Sequence, residues 1–296
     1  YKGVLVYIEQ RDGEIQKVSL ELLGKGKELA EKLGEKLSAV VLGHNIKALA
    51  DELIYHGAEK VITVDHEVLK NFTNEPYTKA LTAVINNEKP AIVLVGATSI
   101  GRDVAPRVSA RIHTGLTADC TSLDIDDETR NLMMTRPAFG GNIMATIICP
   151  DHRPQMSTVR PGVMLKLERN TSNTGDVIDF DADLNALDLN VEVLEIVKED
   201  HKKVNIEDAK VLVSAGRGIG SKENMSPLYD LADELKGEVS GSRAVIDNAW
   251  LDKDRQVGQT GKTVRPDLYF ACGISGAIQH IAGIEESELI IAINKN

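Results

Sequence analysis

Residues 256–283 bring together turns and side chains that could hold an anionic ligand. Two polar loops flanked by glycine, residues 258–261 and 273–276, enclose an apolar run of strand character. A short helix-like run follows the second loop and carries Gln279 and His280. Polar loops at the carboxyl end of a strand, followed by the N-terminus of a helix, present backbone N–H groups to an anion. The stretch therefore predicts an anion-binding site.

The first of these loops, Gly258-Gln-Thr-Gly261, offers flexible backbone and two uncharged hydrogen-bonding side chains. No general base, paired carboxylate or nucleophile with a neighbouring base lies close to it in the sequence. Such a loop suits the binding and tuning of a ring, and it indicates no bond-breaking chemistry. An ordinary hairpin turn would also place glycine at both ends, so that alternative stays open.

Two arginines border apolar runs in the same half of the chain. Arg217 lies in a glycine cluster, residues 216–220, whose G-x-G-x-G spacing differs from the dinucleotide fingerprint G-x-G-x-x-G. A guanidinium at a strand end can bind phosphate, although a turn without a ligand explains the glycines equally well. Arg243 follows Ser242 before an apolar run of strand character. An inward-pointing arginine needs an anion or an electron-rich ring as partner, and a solvent-facing arginine is the alternative.

Composition argues against several other function classes. The chain has 45 acidic and 34 basic residues and a net charge of -11, so binding to nucleic acid is not expected. Its three cysteines and seven histidines show no ligand spacing, and a lone histidine in an apolar run, such as His280, is usually a core residue. No apolar run reaches the roughly 18 residues of a membrane span. We expect a cytoplasmic protein without a metal site, a disulfide framework or membrane insertion.

The first half of the chain predicts a parallel α/β domain, because β-branched apolar runs alternate with helical patterns up to residue 112. Such alternation indicates right-handed βαβ units. The predicted strands are residues 4–8, 39–42, 60–64 and 91–95, and helices are predicted at 46–55, 77–86 and 104–112. Short strand-like segments then follow and are expected to form hairpins or edge strands of the same sheet, at residues 122–126, 132–135, 144–148 and 156–159.

A second α/β domain is predicted after the charged run at residues 198–203, and residues 190–197 before it alternate with a period of two. Strands are predicted at residues 209–214, 242–246, 268–272 and 289–293, and helices at 227–235 and 277–282. The predicted fold class is α/β, with two Rossmann-like domains of mainly parallel sheets, residues 1–199 and 200–296. Because a chain rarely ends on an apolar strand, we expect the C-terminal domain to lack its last segment.

Several motifs, in this order and spacing, resemble the alpha subunits of electron-transferring flavoproteins. In the second domain these are residues 213–218, 241–244, 256–262, 266–269, 273–280 and 291–294. In the first domain, the matching segments resemble alpha subunits of anaerobic bacteria and are residues 96–103, 115–120 and 136–142. The resemblance covers nearly the whole chain. It implies that the C-terminal domain binds FAD, and family chains usually continue with a segment that closes over the FAD.

The resemblance also implies roles along the dinucleotide. Arg217 would contact the FAD pyrophosphate, and Ser275 and Gln279 would lie along the path from the phosphates to the ribityl chain. Asn294 would lie near the adenosine end. These assignments place a cation and uncharged donors on the anionic part of the ligand.

At the flavin ring, the resemblance places Arg243 against the isoalloxazine, Thr260 near N5 and His280 on the O2 side. Reduction adds negative charge to the ring, and a fixed cation such as Arg243, with His280 near N1 and O2, would stabilise that charge and raise the potential. No catalytic residue is predicted. The remaining members of the predicted FAD shell are Ser242, Gln259, Gly261, Gly276 and Ala277.

The expected function is that of the FAD-binding alpha subunit of a heterodimer with a smaller beta subunit. Such a complex shuttles electrons between NADH or dehydrogenases and acceptors such as acyl-CoA dehydrogenase, and the likeness to anaerobic bacterial chains favours flavin-based electron bifurcation. It would oxidise NADH only as a complex and would not be a stand-alone enzyme. The alternative is a nucleotide-binding assembly subunit that has the same fold and no redox role.

Overall fold

The computed structural model describes residues 1–138, 143–185, 190–197 and 205–295. The chain divides into two compact units, Tyr1–Ala138 with Met144–Val197, and a second unit formed mainly by Lys198–Asn296. The domain boundary predicted at residues 199–200, within the charged run, lies outside the described residues, as do residues 139–142 of the motif at 136–142.

Twelve strands and four α-helices build the described part of the first unit. The strands are β1 (Val4–Ile8), β2 (Gln10–Arg11), β3 (Glu14–Ile15), β4 (Leu37–Gly43), β5 (Lys60–Asp65), β6 (Ile92–Gly96), β7 (Leu116–Cys120), β8 (Ser122–Ile125), β9 (Leu132–Pro137), β10 (Met144–Ile147), β11 (Gln155–Val159) and β12 (Asp176–Asp179). The helices are α1 (Lys17–Leu33), α2 (Ala50–Tyr55), α3 (Asn74–Glu88) and α4 (Ser99–Arg111).

A seven-stranded parallel sheet, in the order β12-β5-β4-β1-β6-β11-β7, forms the centre of this unit. Helices α1 and α2 pack on one face and α3 and α4 on the other. Because both faces are covered, every residue of the central strand β1 is buried, which explains its unbroken apolar sequence. The predicted βαβ alternation of the first half is confirmed.

The segments after residue 115 differ from their prediction. Residues 156–159 belong to β11, which is a fully buried strand between β6 and β7 and not a hairpin or an edge strand. The polar residues Gln155, Ser157 and Thr158 are buried in the sheet, so the sequence of β11 lacks the apolar run that is typical of a buried strand. Strands β8, β9 and β10 form a separate antiparallel sheet and do not complete the first one. The alternating run 190–197 forms no strand, and most of its apolar side chains are exposed, with Leu194 at 88%.

The second unit contains four parallel strands in the order β14-β13-β15-β16. These strands are β13 (Val211–Ala215), β14 (Glu238–Gly241), β15 (Leu268–Cys272) and β16 (Leu289–Ile293), and its helices are α5 (Ser226–Glu234), α6 (Arg243–Asp247) and α7 (Ile278–Ile281). One face of the sheet packs around Val213 and Val245, the other around Leu212 and Tyr269. Together the two units confirm the α/β fold class with two Rossmann-like domains.

One predicted strand of this unit is a helix. Residues 242–246 were expected to be a strand, but the strand lies before them, in β14, and α6 begins at Arg243. The extended residue Ser242 ends the sheet region by donating its N–H to the Ala215 carbonyl at 2.9 Å. The apolar run misleads because a single buried position, Val245, anchors a short amphipathic helix.

None of the helices in the described ranges combines the length and the hydropathy that crossing a membrane requires.

Gly101 gives a direct test of the packing between α4 and β6. A Cβ at this position would lie 1.8 Å from the Gly96 carbonyl oxygen, so Gly101→Ala must move the helix away from the strand. We expect a loss of on the order of 3 kcal/mol in the free energy of unfolding, measured by urea titration followed by circular dichroism. Gly115→Ala is the control, because its nearest atom, the Cys149 Sγ, lies at 3.4 Å. Equal losses in the two variants would contradict this account of the packing.

Candidate functional site

A cavity of about 520 Å³ lies at the carboxyl ends of the strands in the second unit. The four strands are parallel, so the residues that follow them meet at one edge of the sheet. Residues 216–218 follow β13, residues 242–244 follow β14, residues 273–277 follow β15, and Asn294 follows β16. The loop at residues 256–260 completes the lining together with Gln279 and His280 of α7. Segments that are distant in the sequence therefore share one cavity.

Nearly all residues of the predicted shell meet here. Gly261 and Gly276 do not line the cavity; a Cβ at Gly261 would lie 2.4 Å from the Gln256 carbonyl oxygen, and Gly276 has a φ of +73°. These two glycines shape the loops that carry their neighbours. The predicted residues that line the cavity are Arg217, Ser242, Arg243, Gln259, Thr260, Ser275, Ala277, Gln279, His280 and Asn294.

The loops after β13 and β15 contact each other through their backbones. Gly218 donates its N–H to the Gly273 carbonyl at 2.9 Å. A Cβ at Gly216 would lie 2.2 Å from the same oxygen, and Gly273 itself has a φ of +65°. Any side chain at these positions would separate the loops. This close approach explains the first two glycines of the G-x-G-x-G spacing, whereas the third, Gly220, has a φ of +92°. The exposed Arg217 between the first two glycines lines the cavity.

The cavity is cationic in a chain of net charge -11. Of the described residues that line it, the charged ones are Arg217 and Arg243. Arg243 is the first residue of α6, and its side chain is 69% exposed. Its Nε lies 3.4 Å from an Asp247 carboxylate oxygen, but Asp247 is also exposed, so this ion pair is weak and screened by solvent. The Arg243 guanidinium therefore remains available to an anion or a ring in the cavity.

The Thr260 hydroxyl is oriented by a residue that the sequence interpretation missed. The buried Gln256 donates from Nε2 to the Thr260 Oγ at 2.9 Å. The Gln259 N–H donates to the Gln279 carbonyl and fixes the same loop on α7. Because the Thr260 oxygen accepts from Gln256, the Thr260 hydroxyl proton remains free to be donated into the cavity. Gln256 is the first residue of the stretch 256–283, and its role depends on burial and on a neighbour that the residue type alone does not indicate.

His280 is the buried polar member of the predicted shell, at 7% exposure. Its Nε2 lies 2.9 Å from the hydroxyl of Tyr269, which is completely buried in β15. Burial lowers the pKa of His280, and the Val257 backbone partly offsets the decrease, so the imidazole is neutral at pH 7. Tyr269 was missed because it lies inside an apolar strand run, where an aromatic residue indicates core packing alone.

The other lining residues that were not predicted are apolar or glycine. Ala244, Val257 and Ile274 supply apolar walls, and no feature of their sequence context distinguishes them from ordinary packing residues. In the described ranges, no cluster of histidine, cysteine or acidic side chains could hold a metal ion. The described lining contains two arginines, a histidine, amides and hydroxyls, so the arrangement suits the binding of an anionic ligand.

The neutral state of His280 predicts a pH dependence of stability. Its folded-state pKa lies below the unfolded value of 6.5, so the unfolded chain takes up the proton more readily as the pH falls. The free energy of unfolding should therefore decrease between pH 7.5 and pH 5.5, and this decrease should be smaller in His280→Gln. Urea midpoints at both pH values measure it. His152→Gln, which changes an exposed histidine, should retain the full decrease. An equal pH dependence of wild type and His280→Gln would contradict the assignment.

Two family models match the chain. The electron transfer flavoprotein domain matches residues 4–185, and the electron transfer flavoprotein FAD-binding domain matches residues 205–285. The second match includes the loops that follow β13, β14 and β15, the loop at residues 256–260 and α7, so it contains all of the described cavity lining except Asn294. Together the two matches span most of both units.

The chain is also similar to curated proteins over its whole length. It is 58% identical to the electron transfer flavoprotein subunit alpha of Clostridium acetobutylicum, covering 100% of this chain and 89% of that protein. It is 49% identical to the corresponding subunit of Megasphaera elsdenii, covering 100% and 88%. It is 48% identical to the acryloyl-CoA reductase electron transfer subunit beta of Anaerotignum propionicum, again covering 100% and 88%. The chain therefore belongs to the alpha-subunit family of electron transfer flavoproteins, whose cofactor is FAD.

Proposed function

We propose that this chain binds FAD in the cavity of its second unit and transfers electrons as the alpha subunit of a heterodimer with a smaller beta subunit. The observation that carries the proposal is the convergence of Arg217, Arg243, Thr260 and His280 on one cavity at the carboxyl edge of a parallel sheet. This is the position at which open α/β sheets bind dinucleotides.

The residues at the cavity suit FAD. The cavity volume of about 520 Å³ lies within the ordinary range for ligand pockets. FAD combines an anionic pyrophosphate, a hydroxylated ribityl chain and a flat ring, and the lining offers guanidinium groups, amides and hydroxyls, and apolar walls for these parts. Arg217 would hold the pyrophosphate, and Ser275 and Gln279 would bind along the ribityl path. Asn294, whose amide donates to the Ile274 carbonyl at 3.0 Å, would lie near the adenosine end.

When bound, FAD supplies the reversible uptake of electrons, and the protein sets the energy of that uptake. Arg243 would place a positive charge beside the ring, where it stabilises the negative charge that reduction adds. The Thr260 hydroxyl, whose proton is free for donation, would donate a hydrogen bond to N5 of the flavin, and Gln256 keeps that hydroxyl in place. The described lining contains no carboxylate that would oppose the added charge. These features support an electron carrier over an enzyme that breaks bonds.

The redox partners are proposed from chemistry and relatives together. A protein 48% identical to this chain is named as an electron transfer subunit of acryloyl-CoA reductase, which supports an acyl-CoA dehydrogenase as electron acceptor or donor. The likeness to electron transfer flavoprotein subunits of anaerobic bacteria is the ground on which we further propose that the complex bifurcates the electrons of NADH. A complex of this kind would oxidise NADH only when a high-potential and a low-potential acceptor are both present. Oxidation with a single acceptor would indicate a simple carrier.

The first test is the colour of the complex. The chain purified together with its beta subunit should be yellow, release FAD on denaturation, and bleach when electrons are added stepwise, as followed by absorbance. A colourless complex that added FAD cannot reconstitute would contradict the proposal and would favour a nucleotide-binding assembly subunit without redox chemistry.

Arg243→Ala tests the placement of the cation at the ring. Without this charge the reduced flavin loses electrostatic stabilisation, so we expect the reduction potential of the bound flavin to fall by on the order of 60 mV, a tenfold change for one electron. Spectroelectrochemical titration of the complex measures it. Arg265→Ala is the matched control, because the Arg265 guanidinium contacts Glu286 and is not among the lining residues. An unchanged reduction potential in Arg243→Ala would contradict the placement of this guanidinium beside the flavin ring.

A further inference from the structure

Four polar side chains are buried together beneath the cavity. Ser214 in β13 pairs in register with Ser240 in β14, and Tyr269 in β15 lies opposite Leu212, two residues before Ser214. Since side chains alternate along a strand, Ser214, Ser240 and Tyr269 share one face of the sheet. All three are completely buried, on the face whose apolar core includes Leu212. The fourth residue, His280, lies between this group and the cavity.

Polar groups in such a position are costly unless they are hydrogen-bonded, so their pairing is informative. The Tyr269 hydroxyl and the His280 Nε2 lie 2.9 Å apart. The hydroxyls of Ser214 and Ser240 have no hydrogen-bond partner of normal geometry in the described part of the chain. They nevertheless lower the pKa of Tyr269, against the larger increase caused by burial, as hydroxyls directed at the phenol oxygen do. The serines are thus available to donate to Tyr269.

The direction of the bond between Tyr269 and His280 follows from the groups around it. Burial keeps the Tyr269 phenol protonated, so it can donate to Nε2. The other ring nitrogen, Nδ1, is buried and has no hydrogen-bond partner of normal geometry among the described residues. The Val257 backbone raises the pKa of His280, as a carbonyl near a ring N–H does, while the Val257 N–H already donates to the Gly241 carbonyl. A neutral imidazole whose Nε2 accepts from the Tyr269 hydroxyl at 2.9 Å carries its own proton on Nδ1.

We propose that Tyr269 is a positioning residue for the redox site. Its hydroxyl, which accepts from Ser214 or Ser240, donates to His280 Nε2 and holds the imidazole neutral, protonated on Nδ1 and fixed in one orientation at the cavity wall. The effect on the flavin rests on the proposed function, whereas the pairing of the two side chains does not. In this arrangement Arg243 supplies the positive charge at the ring, and His280 supplies a dipole whose orientation Tyr269 determines.

The tautomer of His280 is the primary test. Nitrogen-15 NMR of the complex, labelled at histidine, distinguishes protonated from unprotonated ring nitrogens, and loss of one signal set in His280→Gln assigns the residue. We expect a single neutral form with the proton on Nδ1 at pH 7. A charged ring, or a proton mainly on Nε2, would overturn the proposal without the use of any further variant.

Tyr269→Phe removes one oxygen and keeps the ring packing. We expect the His280 signals to change to a mixture of both neutral tautomers, because nothing then donates to Nε2. Tyr229→Phe is the matched control, since Tyr229 belongs to the same unit and is 43% exposed, and it should leave the His280 signals unchanged. Ser214→Ala with Ser240→Ala leaves Tyr269 intact and should produce a smaller change of the same kind. Unchanged signals in Tyr269→Phe would overturn the proposal.

A double-mutant cycle separates positioning from a general structural effect. Tyr269→Phe should lower the flavin potential by about 30 mV, a tenfold change in the ratio of reduced to oxidised flavin for two electrons, because a mobile imidazole stabilises charge less well. In the His280→Gln background the same substitution should have no effect. An equal shift in both backgrounds would overturn the proposal. A complex without FAD would contradict the proposed function instead, and the NMR experiment would still test the pairing of Tyr269 with His280.

Discussion

The contact between the backbone of two loops, at Gly216, Gly218 and Gly273, is the constraint on which the site depends. It joins the ends of β13 and β15, which are neighbouring strands, at the distance of a direct N–H to carbonyl bond. Because the loops lie this close, the residues that follow each strand line one common cavity. The backbone of the parallel sheet and its loops therefore forms the cavity, and the polar side chains that line it project from those loops.

Electrostatics then decides what this space can hold. The chain as a whole is acidic, yet the charged residues of the described lining are two arginines, and the histidine beside them is kept neutral by burial. A cavity with low-dielectric walls and fixed cations stabilises negative charge more strongly than water does. An acidic exterior with a cationic cavity also discourages anions from binding elsewhere on the surface. In the proposed function, the two arginines would carry most of the selectivity for an anionic ligand.

The sequence predicts the sheet better than it predicts the site. Strand β1 is a continuous apolar run whose bounds agree with the prediction, because a parallel strand covered on both faces needs an apolar residue at nearly every position. Periodicity fails where burial is mixed, as in β11 with its buried polar residues and in α6 with one anchoring position. The roles of the lining residues came from resemblance to a family. Tyr269 and Gln256 could not be recognised from the sequence, because their importance depends on three-dimensional neighbours and not on residue type.

The bond from Gln256 to Thr260 has a consequence for the rate of electron transfer. The hydroxyl is oriented by a buried amide before any charge arrives, and its loop is fixed to α7 by a second hydrogen bond. Donors that are already in place do not have to rotate when an electron enters or leaves. With FAD bound as proposed, the reorganisation energy of this part of the surroundings would be small, and electrons would cross with little activation in either direction. The uncharged loop at residues 258–261 would thus present dipoles that are fixed by hydrogen bonds. Such a loop suits a carrier that must accept and release electrons with equal ease.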